Sequence, residues 1–270
     1  MNKLNDYSTD KIFLRLLNNK SKQNYWNYIS ELRKRKSKEI FDKSIILIQS
    51  KSVQERIIGI NVLSQFGFPR LHKKKILKKF FNLLKTEKDK YAIKSILYGI
   101  GHNNEDLSKK QLEFISSFKN HKSCIIRHSL VFALLTKTEN IAIETLIKLT
   151  YDRDSKTRDW ATFGIGTQIE IDNQEIRKAL WKRVEDRDFN TRDEAIAGLA
   201  KRKDEKIKKI LIEELKQIDQ NGSLILESIE DYNDKDFIEL LELQILQNRK
   251  NPKVKEKLLL DTLEKLKKSD

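Results

Sequence analysis

The spacing of apolar residues predicts helices along almost the whole chain. In NQEIRKALWKRV, Ile176, Leu180 and Val184 recur every four residues, which places them on one face of a helix. Such segments alternate with a second class of helix, in which an anchor residue is followed at positions +3, +6 and +7 by small or apolar residues. The alternation of the two classes predicts that the chain is built of helix pairs.

The second class of helix recurs at a nearly constant interval. Its anchor residues are Arg56, Ile93, Arg127, Arg158 and Arg192, which are 37, 34, 31 and 34 residues apart. A period in the low to mid thirties is typical of stacked units, each too small to bury its apolar face alone. We therefore predict an all-α fold, a right-handed α-solenoid of about five helix pairs.

The ends of the chain depart from this pattern. We predict that residues 1–52 form an N-terminal helical cap with a degenerate half-repeat, residues 53–217 the repeats, and residues 218–270 a C-terminal helical cap. Within the last segment, Asn251 followed by Pro252 predicts a helix start, because proline is favoured at the first helical position.

The last two copies carry a pattern that resembles HEAT repeats. The pattern D-x-x-x-R-x-x-A-x-x-G is occupied by Asp154, Arg158, Ala161 and Gly164, and again by Asp188, Arg192, Ala195 and Gly198. It is most similar to the short HEAT-like repeats first associated with phycobilisome lyases and common in bacterial proteins. Repeats of this kind are more often recognition modules than enzymes. In the second copy Ile93 replaces the anchor Arg, so the ladder of arginines is interrupted there.

The repeated D-R-D sequence has a structural interpretation. In HEAT-like units the Asp lies at the turn, where Asp154 and Asp188 can cap a helix and pair with the anchor arginine of the same or the next repeat. Together with Arg56, Arg127, Arg158 and Arg192 they would form a structural ladder. A catalytic or metal-binding role would require carboxylates converging from different elements, and the sequence shows no such set.

Close helix packing explains most of the glycines. Gly99, Gly164 and Gly198, like Ala133, lie six residues after their anchors. Because glycine destabilises a helix interior by roughly 1 kcal/mol relative to alanine, these positions predict close approach between neighbouring helices.

The net charge bears on the kind of partner, and the cysteine content bears on the cellular compartment. The net charge is +15, and residues 1–135 hold 28 Lys/Arg against 11 Asp/Glu, whereas the remainder holds 27 against 29. Cys124 cannot form an intramolecular disulfide alone, and no apolar run approaches the roughly 20 residues that span a bilayer. We therefore expect a cytoplasmic monomer that does not bind membranes.

A row of aromatic residues marks the predicted binding surface. The +5 positions face away from the core on a helical wheel, towards the concave groove of the solenoid, and three consecutive copies hold Tyr98, Phe132 and Phe163 there. The edge of this row is formed by Lys94, His128, Asp159 and Trp160. Aromatic residues supply much of the binding energy at protein interfaces. The alternative is that these rings pack as ordinary core.

The principal functional prediction is a non-catalytic scaffold that binds a protein or peptide in this groove. The alternative is nucleic-acid binding through the basic half, with possible phosphate contacts at Arg33, Lys34, Arg35, Lys36, Lys73, Lys74 and Lys75. A lyase-like or DNA-repair enzyme of HEAT-like fold is a minor alternative. The four histidines lack metal-ligand spacing, and we expect neither a metal nor a cofactor.

Overall fold

The computed structural model describes residues 3–268, and all regular secondary structure in this range is helical. The first α-helices are α1 (Thr9–Leu17), α2 (Lys22–Lys34), α3 (Lys38–Leu47), α4 (Val53–Ser64), α5 (Lys73–Leu84), α6 (Lys90–Gly101), α7 (Lys109–Ser116) and α8 (Cys124–Leu134). They are followed by α9 (Asn140–Leu149), α10 (Ser155–Gly166), α11 (Gln174–Arg183), α12 (Phe189–Lys201), α13 (Ile207–Lys216), α14 (Ser223–Tyr232), α15 (Phe237–Lys250) and α16 (Glu256–Lys268). The predicted all-α fold of the α-solenoid class is confirmed.

The helices form two compact units, Met1–Leu135 and Thr136–Asp270. In the first unit α2, α4, α6 and α8 are successive neighbours, and α3 and α5 each pack against α4 or α6. In the second unit α10, α12, α14 and α16 are successive neighbours, and α9, α11 and α13 pack against them. We call the first set of each unit its even layer and the other set its odd layer. The three-part division into caps and repeats stays a prediction.

Side-chain caps fix where many of the helices begin. Ser21, Ser37 and Ser52 accept hydrogen bonds from backbone N–H groups in the first turns of α2, α3 and α4. Asp154 and Asp188 do the same for α10 and α12, accepting from Thr157 N and Thr191 N. Each cap satisfies a donor that the helix itself leaves free, and the predicted capping role of the two D-R-D repeats is confirmed.

The core consists of the +3, +6 and +7 positions predicted from the helical wheel. In α10 these are Ala161, Gly164 and Ile165, and all three are buried. The close approach predicted for Gly198 is also confirmed, since a Cβ built there would lie 2.6 Å from Cα of Gly166 on α10. Even-layer neighbours thus pack backbone against backbone at this crossing.

One predicted helix start is wrong. Pro252 lies in the loop before α16, which begins at Glu256, and Asn251 is the C-terminal cap residue of α15. Asn248 organises this loop, because its Oδ1 accepts from Lys253 N at 2.8 Å and from Val254 N at 3.0 Å. The buried amide side chain of Asn248 therefore accepts the backbone N–H groups that a helical turn would otherwise bind.

No helix among residues 3–268 is both long and apolar enough to cross a membrane.

Candidate functional site

Arginines of the ladder link one repeat to the next. Arg158 donates from Nε and Nη2 to the two carboxylate oxygens of Asp186, at 2.9 and 2.8 Å. Arg56 pairs with Glu87 in the same manner, at 2.7 and 2.9 Å. In both pairs the carboxylate belongs to the residue two positions before the next repeat's N-cap. The expected pairing of Asp154 with Arg158 is therefore wrong, because the carboxylate of Asp154 is committed to Thr157.

The other two arginines of the ladder have different surroundings. Arg127 donates to the backbone oxygens of His121 and Lys122 at 2.8 and 3.3 Å. Arg192 lies 3.5 Å from a carboxylate oxygen of Asp193 and 3.9 Å from one of Glu214. Asp188 bonds Thr191 instead, so the expected Asp188–Arg192 pair is also wrong. Arg56 and Arg158 thus contact the next repeat, whereas Arg127 contacts the loop before its own helix.

Position +10 supplies a second link that the sequence did not reveal. Arg202 donates to the backbone oxygens of Gly166, Gly198, Ile165, Ile169 and Ile171. In the first unit Asn103, also at +10, donates to the oxygens of Ser64 and Gly99 at 2.8 Å each. Ser64 and Gly166 are both at +8 of the preceding repeat, and Gly99 and Gly198 are both at +6. Two different side chains therefore connect equivalent carbonyls of successive even-layer helices.

The predicted aromatic row is half-buried where the first unit presents it. The rings of Tyr98 and Phe132 lie 4.7 Å apart, and the ring of His102 lies 5.1 Å from Phe132. The ammonium of Lys94, an exposed residue, lies 5.8 Å from the centre of the Tyr98 ring. His128 is half-buried on α8. Tyr98, Phe132 and Lys94 thus lie close together on two adjacent even-layer helices, α6 and α8.

Next to Tyr98 the even layer of the first unit encloses a cavity of about 510 Å³. We call it the aromatic cavity. Its charged and aromatic lining residues are Tyr25, Trp26, Arg33, Tyr91, Lys94 and Tyr98. Its volume falls within the range of small-ligand sites. Tyr25 and Trp26 on α2 were not predicted, because residues 1–52 were interpreted as a cap, and Arg33 was predicted only as a possible phosphate contact.

Hydrogen bonds fix the inner wall of the aromatic cavity. Arg33 donates from Nε and Nη2 to the backbone oxygen of Asn61, at 2.9 and 2.6 Å. The Asn61 side chain in turn donates to the hydroxyl oxygen of Tyr25 at 2.8 Å. Gln65 Nε2 and His102 Nε2 lie 2.6 Å apart. Hydrogen bonds within the protein therefore hold the Arg33 guanidinium and the rings of Tyr25 and His102 in place.

Electrostatic conditions in the aromatic cavity are unusual for a surface site. Burial lowers the pKa of Arg33 to about 10, and the positive charge of Arg70 adds to the effect while Tyr25 opposes it. Burial also lowers the pKa of His102 to about 4, with Arg33 and Arg70 contributing. At neutral pH His102 is neutral and Arg33 is charged. The charged side chains that line the cavity, Arg33 and Lys94, are both positive.

The remaining residues predicted for the aromatic row and its edge belong to the second unit. Trp160, 39% exposed, makes an edge contact with Phe163 on α10, with ring centres 5.7 Å apart. Asp159 is half-buried, and burial together with Asp188 raises its pKa to about 6. Burial raises the pKa of Glu194 on α12 to about 7, and the charges of Asp159, Asp193 and Glu227 contribute. The aromatic face of this unit therefore has acidic surroundings, in contrast to the first unit.

Glu194→Gln should stabilise the protein at pH 8 by about 1 kcal/mol and leave it unchanged at pH 4. Between the ordinary carboxyl pKa of 4.5 and its folded value of about 7, Glu194 holds a proton only in the folded state. The free energy of unfolding therefore falls as pH rises through this window, and glutamine removes that loss. Urea denaturation at pH 4, 6 and 8 measures the effect. Glu185→Gln, at an exposed carboxyl, is the control, and a pH-independent difference for Glu194→Gln would contradict the expectation.

Several members of the predicted phosphate-binding set are engaged in internal contacts. Arg35 donates to the backbone oxygens of Tyr7 and Leu4 at 2.7 Å each, in addition to the bonds of Arg33 described above. Lys73 pairs with Glu105 at 2.8 Å, and Lys75 lies over the Phe41 ring. Lys34, Lys36 and Lys74 are exposed. Arg33 and Arg35 are therefore held by the fold, and the exposed lysines are the members most accessible to a phosphate.

A second cavity lies in the odd layer of the first unit, between α5 and α7. Its volume is about 670 Å³. Its basic lining residues are Lys73, Lys74, Lys78, Lys85 and Lys110. We call it the lysine cavity.

Within residues 3–268, no group of three or more His, Cys, Asp or Glu side chains is arranged to hold a metal ion.

Comparison with known proteins agrees with this architecture. Residues 143–221 match the family model of HEAT repeats. Proteins named YibA from Escherichia coli K12 and O157:H7 are each 29% identical to this chain over 148 residues, covering 55% of this chain and 50% of the relative. The chain thus spans about half the length of these relatives. The X-ray structure of the Escherichia coli YibA protein superposes with a TM-score of 0.77 at 24% identity, covering 99% of this chain and 95% of the other, and it shows the shared fold.

Proposed function

We propose that this chain, which matches HEAT repeats over residues 143–221, is a non-catalytic scaffold that binds a protein or peptide through aromatic residues of its even-layer helices. The observation that carries the proposal is the preformed aromatic cavity beside the Tyr98–Phe132 ring pair. Half-buried rings held by packing lose little conformational entropy on binding, which makes them effective contact residues.

The distribution of polar groups supports a polypeptide as the bound species. Around Tyr98 the cavity offers rings for apolar side chains, hydroxyl and amide groups at Ser95 and Asn61 for hydrogen bonds, and a cation at Lys94. A peptide segment presents the complementary groups, which are apolar side chains, backbone amides and carboxylates, at intervals of a few residues. Aromatic and arginine side chains in such settings supply most of the energy at interfaces.

Replacing Tyr98, Phe132 and Phe163 together with alanine should lower partner binding at least a hundredfold, because truncating buried interface aromatics costs about 2 kcal/mol or more each. The tagged full chain is used to capture proteins from its own nuclease-treated cell lysate, and bound proteins are quantified by mass spectrometry. Helicity by circular dichroism should be unchanged, since all three side chains are only half-buried.

The matched control for this experiment is the triple alanine variant of Phe68, Tyr151 and Phe189, three exposed aromatics outside the row. It removes the same number of rings and should retain the partner. If wild type and the Tyr98/Phe132/Phe163 variant retained the same amount of partner protein, the assignment of these residues to the binding surface would be wrong.

A second candidate function is nucleic-acid binding through the odd layer of the first unit. The lysine cavity supports it, because its lining holds four lysines in addition to Lys73, which pairs with Glu105, and only one further carboxylate, Asp106. Capture that depends on omitting the nuclease, and that weakens steeply with added salt, would favour this function over the first.

A further inference from the structure

We infer that the aromatic cavity selects an acidic segment of polypeptide, in which an Asp or Glu carboxylate lies next to an aromatic or large apolar side chain. The inference rests on the proposed function and adds the chemical class of the partner. Three features of the cavity carry it: an arginine without a carboxylate partner among residues 3–268, the absence of carboxylates from the described lining, and the exposed rings at its rim.

The first feature is the bonding of Arg33. Its Nε and Nη2 bind one backbone carbonyl, and among residues 3–268 it forms no ion pair with a carboxylate. A charged group removed from water is stabilised by an opposite charge more than by a neutral carbonyl. Among residues 3–268, the hydrogen bonds of the Arg33 guanidinium come from Nε and Nη2, and Arg33 lines the aromatic cavity. A carboxylate from the ligand would supply the missing counter-charge.

The second feature is the sign of the charge around the cavity. Lys94 is at the rim, Arg70 is close enough to influence Arg33, and no Asp or Glu is among the described residues that line the cavity. His102 contributes hydrogen-bonding capacity without charge at neutral pH. A basic segment would therefore meet repulsion here, whereas an acidic one would be attracted.

The third feature is the accessibility of the rings. Trp26 is 44% exposed and meets Tyr25 edge to face at 5.2 Å, and Tyr91 on α6 is also exposed. The Arg33 guanidinium lies 6.0 Å from the centre of the Trp26 ring. A carboxylate alone would leave these rings in contact with water, so the matching ligand carries an apolar or aromatic neighbour.

The same features favour polypeptide over nucleic acid. A nucleic-acid backbone carries a phosphate at every nucleotide and is bound by a run of cations that track it. The aromatic cavity has one half-buried guanidinium, at Arg33, and one exposed ammonium, at Lys94, whereas the lysines of α5 line the separate lysine cavity. One or two carboxylates are the better match to this number of cations.

The test uses a random dodecapeptide library displayed on phage, panned on the full-length protein. Enriched sequences should pair Asp or Glu with an aromatic or large apolar residue. A synthetic peptide of the consensus should bind at least tenfold more tightly than its Asn/Gln counterpart, measured by fluorescence polarisation. Lys94→Glu should weaken binding of the consensus peptide at least tenfold, because it reverses the charge at the rim.

The control variant is Lys78→Glu, which makes the same charge change at an exposed position on α5 and should leave the affinity within twofold. Enriched peptides without a preference for Asp or Glu would overturn the inference, but the proposed peptide-binding function would stand. The inference would also be overturned if no peptide were enriched while capture of a protein from the lysate still depended on Tyr98, Phe132 and Phe163. A random 20-nucleotide single-stranded DNA pool is measured in parallel. Tighter binding of this DNA than of the peptide, sensitive to Lys94→Glu but not to Lys78→Glu, would overturn it in favour of nucleic acid.

Discussion

Arg202→Met should lower the free energy of unfolding by about 4 kcal/mol. The side chain of Arg202 is 4% exposed, and its guanidinium donates to five backbone carbonyls, including those at the end of α10 and in the loop that follows. Methionine fills similar volume but donates nothing, so buried carbonyl oxygens would lose their partners. An unmet buried acceptor costs about 1–3 kcal/mol.

Urea denaturation followed by circular dichroism measures this loss. Arg187→Met is the matched control, because Arg187 is exposed in the same unit and its replacement should change stability by no more than about 0.5 kcal/mol. Equal stabilities for the Arg202 and Arg187 variants would show that water replaces the guanidinium without loss. Arg202→Lys should recover only part of the difference, because one ammonium cannot reach all five oxygens.

The rows of buried residues could be predicted from the sequence because burial follows helical periodicity within a single element. The +3, +6 and +7 positions of α10 and α12 are therefore correct. Likewise the capping Asp154 and Asp188 act on N–H groups only three residues away. Local geometry and the properties of one residue are sufficient to specify these contacts.

Contacts between repeats were harder to predict. The partner of Arg158 is Asp186, 28 residues later, although Asp152, Asp154 and Asp159 are all closer to Arg158 in the sequence. A signal was present, since an acid two residues before the N-cap recurs at Glu87, Asp152 and Asp186. At position +10 no such signal exists. Asn103 and Arg202 both donate to backbone oxygens at equivalent positions, but one side chain is an amide and the other is a guanidinium.

The aromatic cavity illustrates a different limit. Tyr98 and Lys94 could be found because they occupy repeating positions on α6. Tyr25, Trp26 and Arg33 lie on α2, where the repeat pattern has decayed and no anchor marks the register. The part of the site that belongs to the regular array was therefore predictable, whereas the part contributed by the atypical first helices required the packing of α2 against α4.

Asp186→Ala should lower the free energy of unfolding by about 3 kcal/mol, and the double variant with Arg158→Ala should cost less than the sum of the two single changes. The Asp186 side chain is 4% exposed and accepts from Arg158, from Arg183 Nη1 at 2.8 Å, and from Asp188 N at 3.0 Å. A coupling of about 2 kcal/mol between Asp186 and Arg158 is expected in a double-mutant cycle. Glu185→Ala, at the exposed neighbouring carboxyl, is the control and should be nearly neutral.

The dependence of this coupling on pH identifies its origin. Burial alone would raise the pKa of Asp186, but the hydrogen bonds from Arg158 and Asp188 N and the nearby charges lower it overall. A carboxyl with a lowered folded pKa contributes fully above its unfolded value, about 3.9, and the contribution is lost as pH falls through the folded value. The cycle measured at pH 7 should therefore give the full coupling, and at the lowest pH where the protein stays folded a smaller one. A coupling that is constant with pH would mean that shape complementarity, rather than charge, links these two repeats.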